Sequence, residues 1–139
     1  MTWLGYSLLA AFFAALTTIL AKIGIENVNS YLATAIRTVI VLVMSWLIVF
    51  GLGQQKEISK LTSRNWLFLI LSGIATGLSW IFYYRALQVG DASKVAPVDK
   101  LSVVFTIILA FIFLGEQINL KTVVGGALIS IGVLVLAIK

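Results

Sequence analysis

The sequence has no cysteine, no histidine and a single proline, and only 11% of its 139 residues are charged. Without cysteine there is no disulfide framework, no thiolate metal site and no thiol nucleophile. Without histidine the commonest general base and metal ligand is missing. No glycine-rich loop ending in Gly-Lys-Ser or Gly-Lys-Thr is present, so coupling to ATP within this chain is not expected. Charge is sparse: 10 Lys and Arg against 5 Asp and Glu give a net +5. The basic residues are scattered rather than clustered, which argues against a nucleic-acid partner. Neither an enzyme nor a resident cofactor or metal is expected.

What is present is apolar. Hydrophobic residues make up 61% of the chain, and the mean hydropathy is +1.11. A soluble domain is about 45–50% apolar and about 25% charged, and a small one cannot hide this much oily surface in one core. A helix crosses the hydrocarbon layer with about 20 apolar residues. Five segments qualify, at about residues 3–23, 31–50, 66–87, 92–114 and 122–138. The runs are continuous, unlike the alternating strands of a membrane barrel. The expected fold is all-α: an integral membrane bundle of five transmembrane helices, with residues 1–139 as one domain. No basic residue precedes Trp3, and the first run is longer than a signal h-region, so it is expected to stay. Trp3, Tyr6, Tyr31, Trp66, Tyr83 and Tyr84 lie near span ends, as interfacial rings do. The connections are short, which places whatever this chain does in the membrane.

Five spans put the termini on opposite sides. The N-terminal side, side A, carries Lys56, Lys60, Arg64 and Lys121; side B carries Lys22, Arg85, Lys94 and Lys139. With the count tied, the positive-inside rule does not choose an orientation. Two readings stay open: one orientation by a narrow margin, or dual topology with antiparallel pairs. Ionisable groups inside a span cost about 2.5–3.5 kcal/mol each on insertion scales and mark function. Helix 2 enters from B near Tyr31, which puts Arg37 about 9 Å deep, and helix 4 puts Asp99 and Lys100 about 11–12 Å deep. Lys22 and Arg85 lie near the B surface, where long side chains snorkel. Asp99 either neutralises Arg37 or Lys100 as a structural pair, or belongs to a water-filled cavity open towards B. A cavity with this excess of positive charge would suit an anionic group.

Polar stripes favour the cavity. On helix 3, Ser72, Thr76, Ser79 and Tyr83 share one face; on helix 4, Asp99, Ser102 and Thr106 do the same. On helix 2 the line is Ser30, Thr34, Arg37, Val41 and Ser45, and on helix 1 it is Ser7, Ala11, Ala14, Thr18 and Lys22. The competing reading is that Ser and Thr only let helices pack closely. Gly73 and Gly77 form a GxxxG. Helix 5 offers Gly125, Gly126, Ser130 and Gly132 and reads as a packing or dimer-contact helix. Pro97 removes a backbone bond two residues before Asp99, a pointer to a hinge beside a site.

The runs Tyr84-Arg85-Ala86-Leu87, Ala96-Pro97-Val98-Asp99-Lys100-Leu101-Ser102-Val103-Val104, Leu114-Gly115-Glu116 and Gly125-Gly126-Ala127-Leu128-Ile129-Ser130-Ile131-Gly132-Val133 resemble the EamA family of the drug/metabolite transporter superfamily. The likeness is closest over helices 3–5 and looser over helices 1 and 2. It implies export or exchange of small metabolites by alternating access. Most members resemble one another in having two such units with inverted topology, so this single unit is expected to form an antiparallel homodimer. A small-molecule substrate and the lipid bilayer are the expected partners, in a bacterial inner membrane or archaeal plasma membrane. Arg37, Trp80, Tyr83, Asp99, Lys100 and Ser102 are the expected substrate-binding residues and Pro97 the hinge. A non-transporting membrane subunit and a lipid-carrier flippase component are the alternatives. The related four-helix small multidrug resistance proteins use a Glu in helix 1, which this chain lacks.

Overall fold

The computed structural model describes residues 2–138, and those residues form helices and turns with no strand. Lys139, counted above on side B, lies outside the described residues. The long helices are α1 (Trp3–Gly24), α2 (Ser30–Gly51), α3 (Ser63–Val89) and α6 (Leu120–Ala137). Between α3 and α6 lie α4 (Ala92–Asp99), α5 (Ser102–Leu109) and a π-helical turn, Ala110–Leu114. Taken with that turn, α4 and α5 make one 23-residue span, so five helices are long and apolar enough to cross a membrane. Helices are the open-chain solution in lipid because each backbone N–H finds its carbonyl within the same segment.

The helix ends follow from local chemistry. Asn29 caps α2: its Oδ1 accepts from the backbone N–H of Tyr31 at 2.9 Å and of Leu32 at 3.4 Å. Asn119 caps α6 in the same way, accepting from Thr122 N–H at 2.9 Å. Each fills donors that the first helical turn leaves open. The fourth span stops at Gly115, whose φ of +65° is left-handed. A side chain would strain that geometry, which gives the glycine of the Leu114-Gly115-Glu116 run a physical reason. Asn27, with φ +58°, turns the short α1–α2 loop.

The structure adjusts the expected boundaries. Helix α3 begins at Ser63 rather than near Trp66, because Thr62 starts it: Asn65 N–H reaches Thr62 Oγ1 at 3.3 Å and Trp66 N–H reaches Thr62 O at 3.1 Å. It runs on to Val89, past the expected end at Leu87. The wet Gly51–Asn65 connection is not plain loop but holds a 3-10 turn, Gln54–Lys60. The fourth span is not one continuous α-helix. Lys100 N–H bonds Pro97 O, Leu101 N–H bonds Val98 O and Val103 N–H bonds Lys100 O, each at 2.9–3.0 Å. These are i→i−3 bonds, so the backbone tightens immediately after Pro97, around Asp99 and Lys100.

Two units divide the chain. One contains the start of α1 with α4, α5 and α6; the other contains the end of α1 with α2 and α3. In the first, α4 and α5 pack on α6. Gly126 is buried there, and a Cβ at that position would meet Ile107 Cδ1 at 3.3 Å. Leu128, Ile131 and Val135 lie exposed on α6, an apolar surface suited to hydrocarbon rather than water. In the second unit the packed residues gather at the side-B end: Ala21, Ile25, Ser30, Thr34, Tyr84 and Leu87 are all buried.

Candidate functional site

The second unit is clasped at side B. Lys22 Nζ donates to the carbonyl of Leu87 at 2.5 Å. That carbonyl is among the last of α3, where a cation fills an open acceptor and meets the negative end of the helix dipole. The side-chain amide of Gln88 reaches back to the carbonyls of Ile25 and Val28. Lys22 is therefore more than a snorkelling lysine. Arg85 is exposed, with Nη1 3.4 Å from Gln88 Oε1. The hollow beside this clasp, lined by Glu26, Asn27 and the clasp residues, measures about 490 Å³.

Away from the clasp, towards side A, a groove opens between α2 and α3. It measures about 480 Å³ and runs from Thr38 and Trp80 to Val49 and Leu69. Ligand sites fall in about this size range. On α3 its floor carries Ser72, Gly73, Thr76 and Gly77. A Cβ on either glycine would meet nothing within 4 Å among the described residues, so the GxxxG widens the groove and makes no close helix contact within this unit. At the groove's end the guanidinium of Arg37 lies 4.1 Å from the centre of the Trp80 ring and 5.6 Å from that of Tyr84. The ring quadrupole attracts the cation through its flat face. Within this unit no carboxylate or carbonyl takes the Arg37 N–H groups.

The hydroxyl stripes are satisfied close to home. Thr34 donates to Ser30 O, Thr38 to Thr34 O, Ser45 to Val41 O and Thr76 to Ser72 O, at 2.8–2.9 Å. In an apolar layer the carbonyl one turn back is the nearest acceptor. Those four donors are spent, and only their oxygen lone pairs remain for a ligand.

The expected site residues fall into two groups. Arg37 and Trp80 come together in the second unit. The other ring beside Arg37 is Tyr84, which is buried, whereas Tyr83 is half-buried and does not line the groove. Asp99 and Lys100 come together in the first unit, with Nζ 3.3 Å from Oδ2. Ser102 opens α5 and its carbonyl accepts from Thr106 Oγ1 at 2.8 Å. Pro97 stands in the last turn of α4, ahead of the tightened segment. Among the described residues no group of three or more acidic side chains could hold a metal ion.

Five helices long and apolar enough to cross a membrane make this a multi-pass membrane protein. The chain matches the EamA-like transporter family over residues 1–138, and it belongs to that family. It is 50% identical over 137 residues to an uncharacterized transporter encoded in a cobO 3' region of Sinorhizobium sp., covering 99% of this chain and 97% of that one. An uncharacterized protein of Methanocaldococcus jannaschii is 28% identical over 95% of this chain and 93% of its own length. The uncharacterized transporter YxxF of Bacillus subtilis is 28% identical over 91% of this chain but only 40% of its own length. No solved structure matches.

Proposed function

We propose that the protein exports or exchanges small metabolites by alternating access, as an antiparallel homodimer in a bacterial inner membrane or archaeal plasma membrane. The observation that carries this reading is Arg37: a charged group on a membrane-crossing helix, stacked on Trp80 beside a ligand-sized groove. Charge at that depth is retained where it meets a solute. Trp80, Tyr83, Asp99, Lys100 and Ser102 line the path in this proposal, and the segment after Pro97 bends. The dimer rests on the even division of basic residues between the two sides and on the match to less than half of the Bacillus relative. A pair of inverted copies would supply the repeat symmetry on which such carriers rock.

Two measurements test it. Reporters fused to the C-terminus, one active in each compartment, should both give signal; a single active reporter rules out dual topology. Proteoliposomes should accumulate or release a solute from a metabolite-export screen, and flux should vanish in Asp99→Asn while its amount and melting temperature hold. Loss of folding in Asp99→Asn would instead assign the Asp99–Lys100 pair a structural role.

A further inference from the structure

We infer that the groove between α2 and α3 takes an amphipathic organic anion, its apolar body along the groove and its anionic group on the N–H groups of Arg37. The inference rests on the transporter reading and adds the substrate class.

Three observations converge on it. First, stacking satisfies the face of a guanidinium but not its five N–H donors, which match a carboxylate or phosphate in the guanidinium plane. Trp80 and Tyr84 hold the face of Arg37, and its own unit supplies no acceptor for the N–H groups. A cation at this depth without an anion is costly, and an arriving anion removes that cost. Second, the groove continues from the Trp80 ring along Val41, Leu42, Trp46 and Leu69. From Thr38 to Val49 the groove follows about 16 Å of helix. Its walls are mostly apolar, and the Thr38, Ser45 and Thr76 hydroxyls already donate to the backbone, so Arg37 is the donor-rich group at the site. Third, an organic cation would seek the aromatic faces. Arg37 already covers those of Trp80 and Tyr84, and its charge repels a second cation. The site therefore selects by charge as well as by shape.

The probes are 3-phenylpropionate, the neutral 3-phenylpropanamide, 3-phenylpropylammonium and acetate. The protein is the full chain in phosphatidylcholine nanodiscs, with Trp3→Phe and Trp66→Phe so that Trp46 and Trp80 report, and empty nanodiscs correct for partitioning. Phenylpropionate should change the fluorescence saturably and bind at least about tenfold tighter than the amide. The ammonium and acetate should show no saturable change. Arg37→Gln should erase the preference of acid over amide, and Arg37→Lys should retain part of it. If Arg37→Gln does not fold, the acid-to-ammonium ratio of the unsubstituted Arg37 protein decides alone. Equal or tighter binding of the ammonium, or no saturable binding of the acid, overturns the inference. Adding phosphatidylglycerol should leave acid binding unchanged; competitive loss would identify the amphipathic anion of the groove as a lipid and refute a soluble substrate there. Acid binding that depends on Arg37 without flux in proteoliposomes refutes transport and leaves the site standing. Flux of another solute with no acid binding does the reverse.

Discussion

The paired substitution Gly73→Ala and Gly77→Ala separates two meanings of one motif. GxxxG in an apolar helix ordinarily signals a face where another helix backbone approaches closely, and there an added methyl drives the helices apart. In this structure a Cβ at either position would meet nothing within 4 Å, and both glycines line the α2–α3 groove. The substitution therefore carries no steric penalty and gains the helix propensity of alanine, about 0.8–1.0 kcal/mol per site for an exposed helix interior. The two sites lie on separate turns with no clash between them, so the gains should add to about 1.5–2 kcal/mol. That corresponds to a rise of several degrees in melting temperature for a chain of this size. The assay is thermal unfolding of the purified protein in one detergent, with the oligomeric state followed by light scattering. The melting temperature should rise and the association state should hold. A fall in either would place a second copy against these glycines and refute the reading of the face as a groove wall. Gly77→Leu extends the test, because a branched side chain there projects into open space. It should leave the fold intact while reducing binding of the phenylpropyl probes, acid and amide alike.

Other substitutions probe the local chemistry. Gly126→Leu should destabilise the packing of α6 on α5 by about 1–3 kcal/mol, because Ile107 already stands 3.3 Å from the position of a Cβ; thermal unfolding reads it, and an unchanged melting temperature would deny the contact. Gly115→Ala, at φ +65°, should cost about 1–2 kcal/mol through left-handed strain, measured as a lowered melting temperature. Asn119→Ala removes the oxygen that accepts from Thr122 N–H and should cost about 0.5–2 kcal/mol, whereas Asn119→Ser or Asn119→Asp should recover most of it. Lys22→Met should keep the bulk of the stem but free the Leu87 carbonyl, and faster amide exchange over residues 86–90 than over the middle of α3 is the expected signature.

The five spans were legible because lipid imposes a length and a composition, and the sequence meets both. Ends were less so. The extension of α3 to Ser63 had a signal in Thr62, three residues ahead of Asn65, but the polar Ser-Arg-Asn stretch read as loop. The π turn of Ala110–Leu114 and the 3-10 turn of Gln54–Lys60 have no comparable mark, since both depend on how the chain stops rather than on periodicity. Pro97 announced a break, and the break falls on its C-terminal side, where the i→i−3 bonds begin.

The site itself was half legible, and the reason is physical. A hydroxyl on a membrane helix can satisfy itself one turn back along its own backbone, as Thr34, Thr38, Ser45 and Thr76 do. Its presence is therefore cheap and says little about water or ligand. Reading the face of α3 from hydroxyls selected Ser72, Thr76, Ser79 and Tyr83, of which Ser72 and Thr76 line the groove. The groove and its stacked rings follow Gly73, Gly77, Trp80 and Tyr84, which recur at i, i+4, i+7 and i+11. A guanidinium cannot satisfy itself in this way: one turn of helix offers it a carbonyl but no counter-charge. Arg37 is accordingly the informative residue of the span, and the two rings that receive its face identify the side of α3 that matters. Charge that has to find a partner marks a site in lipid more surely than polarity that does not.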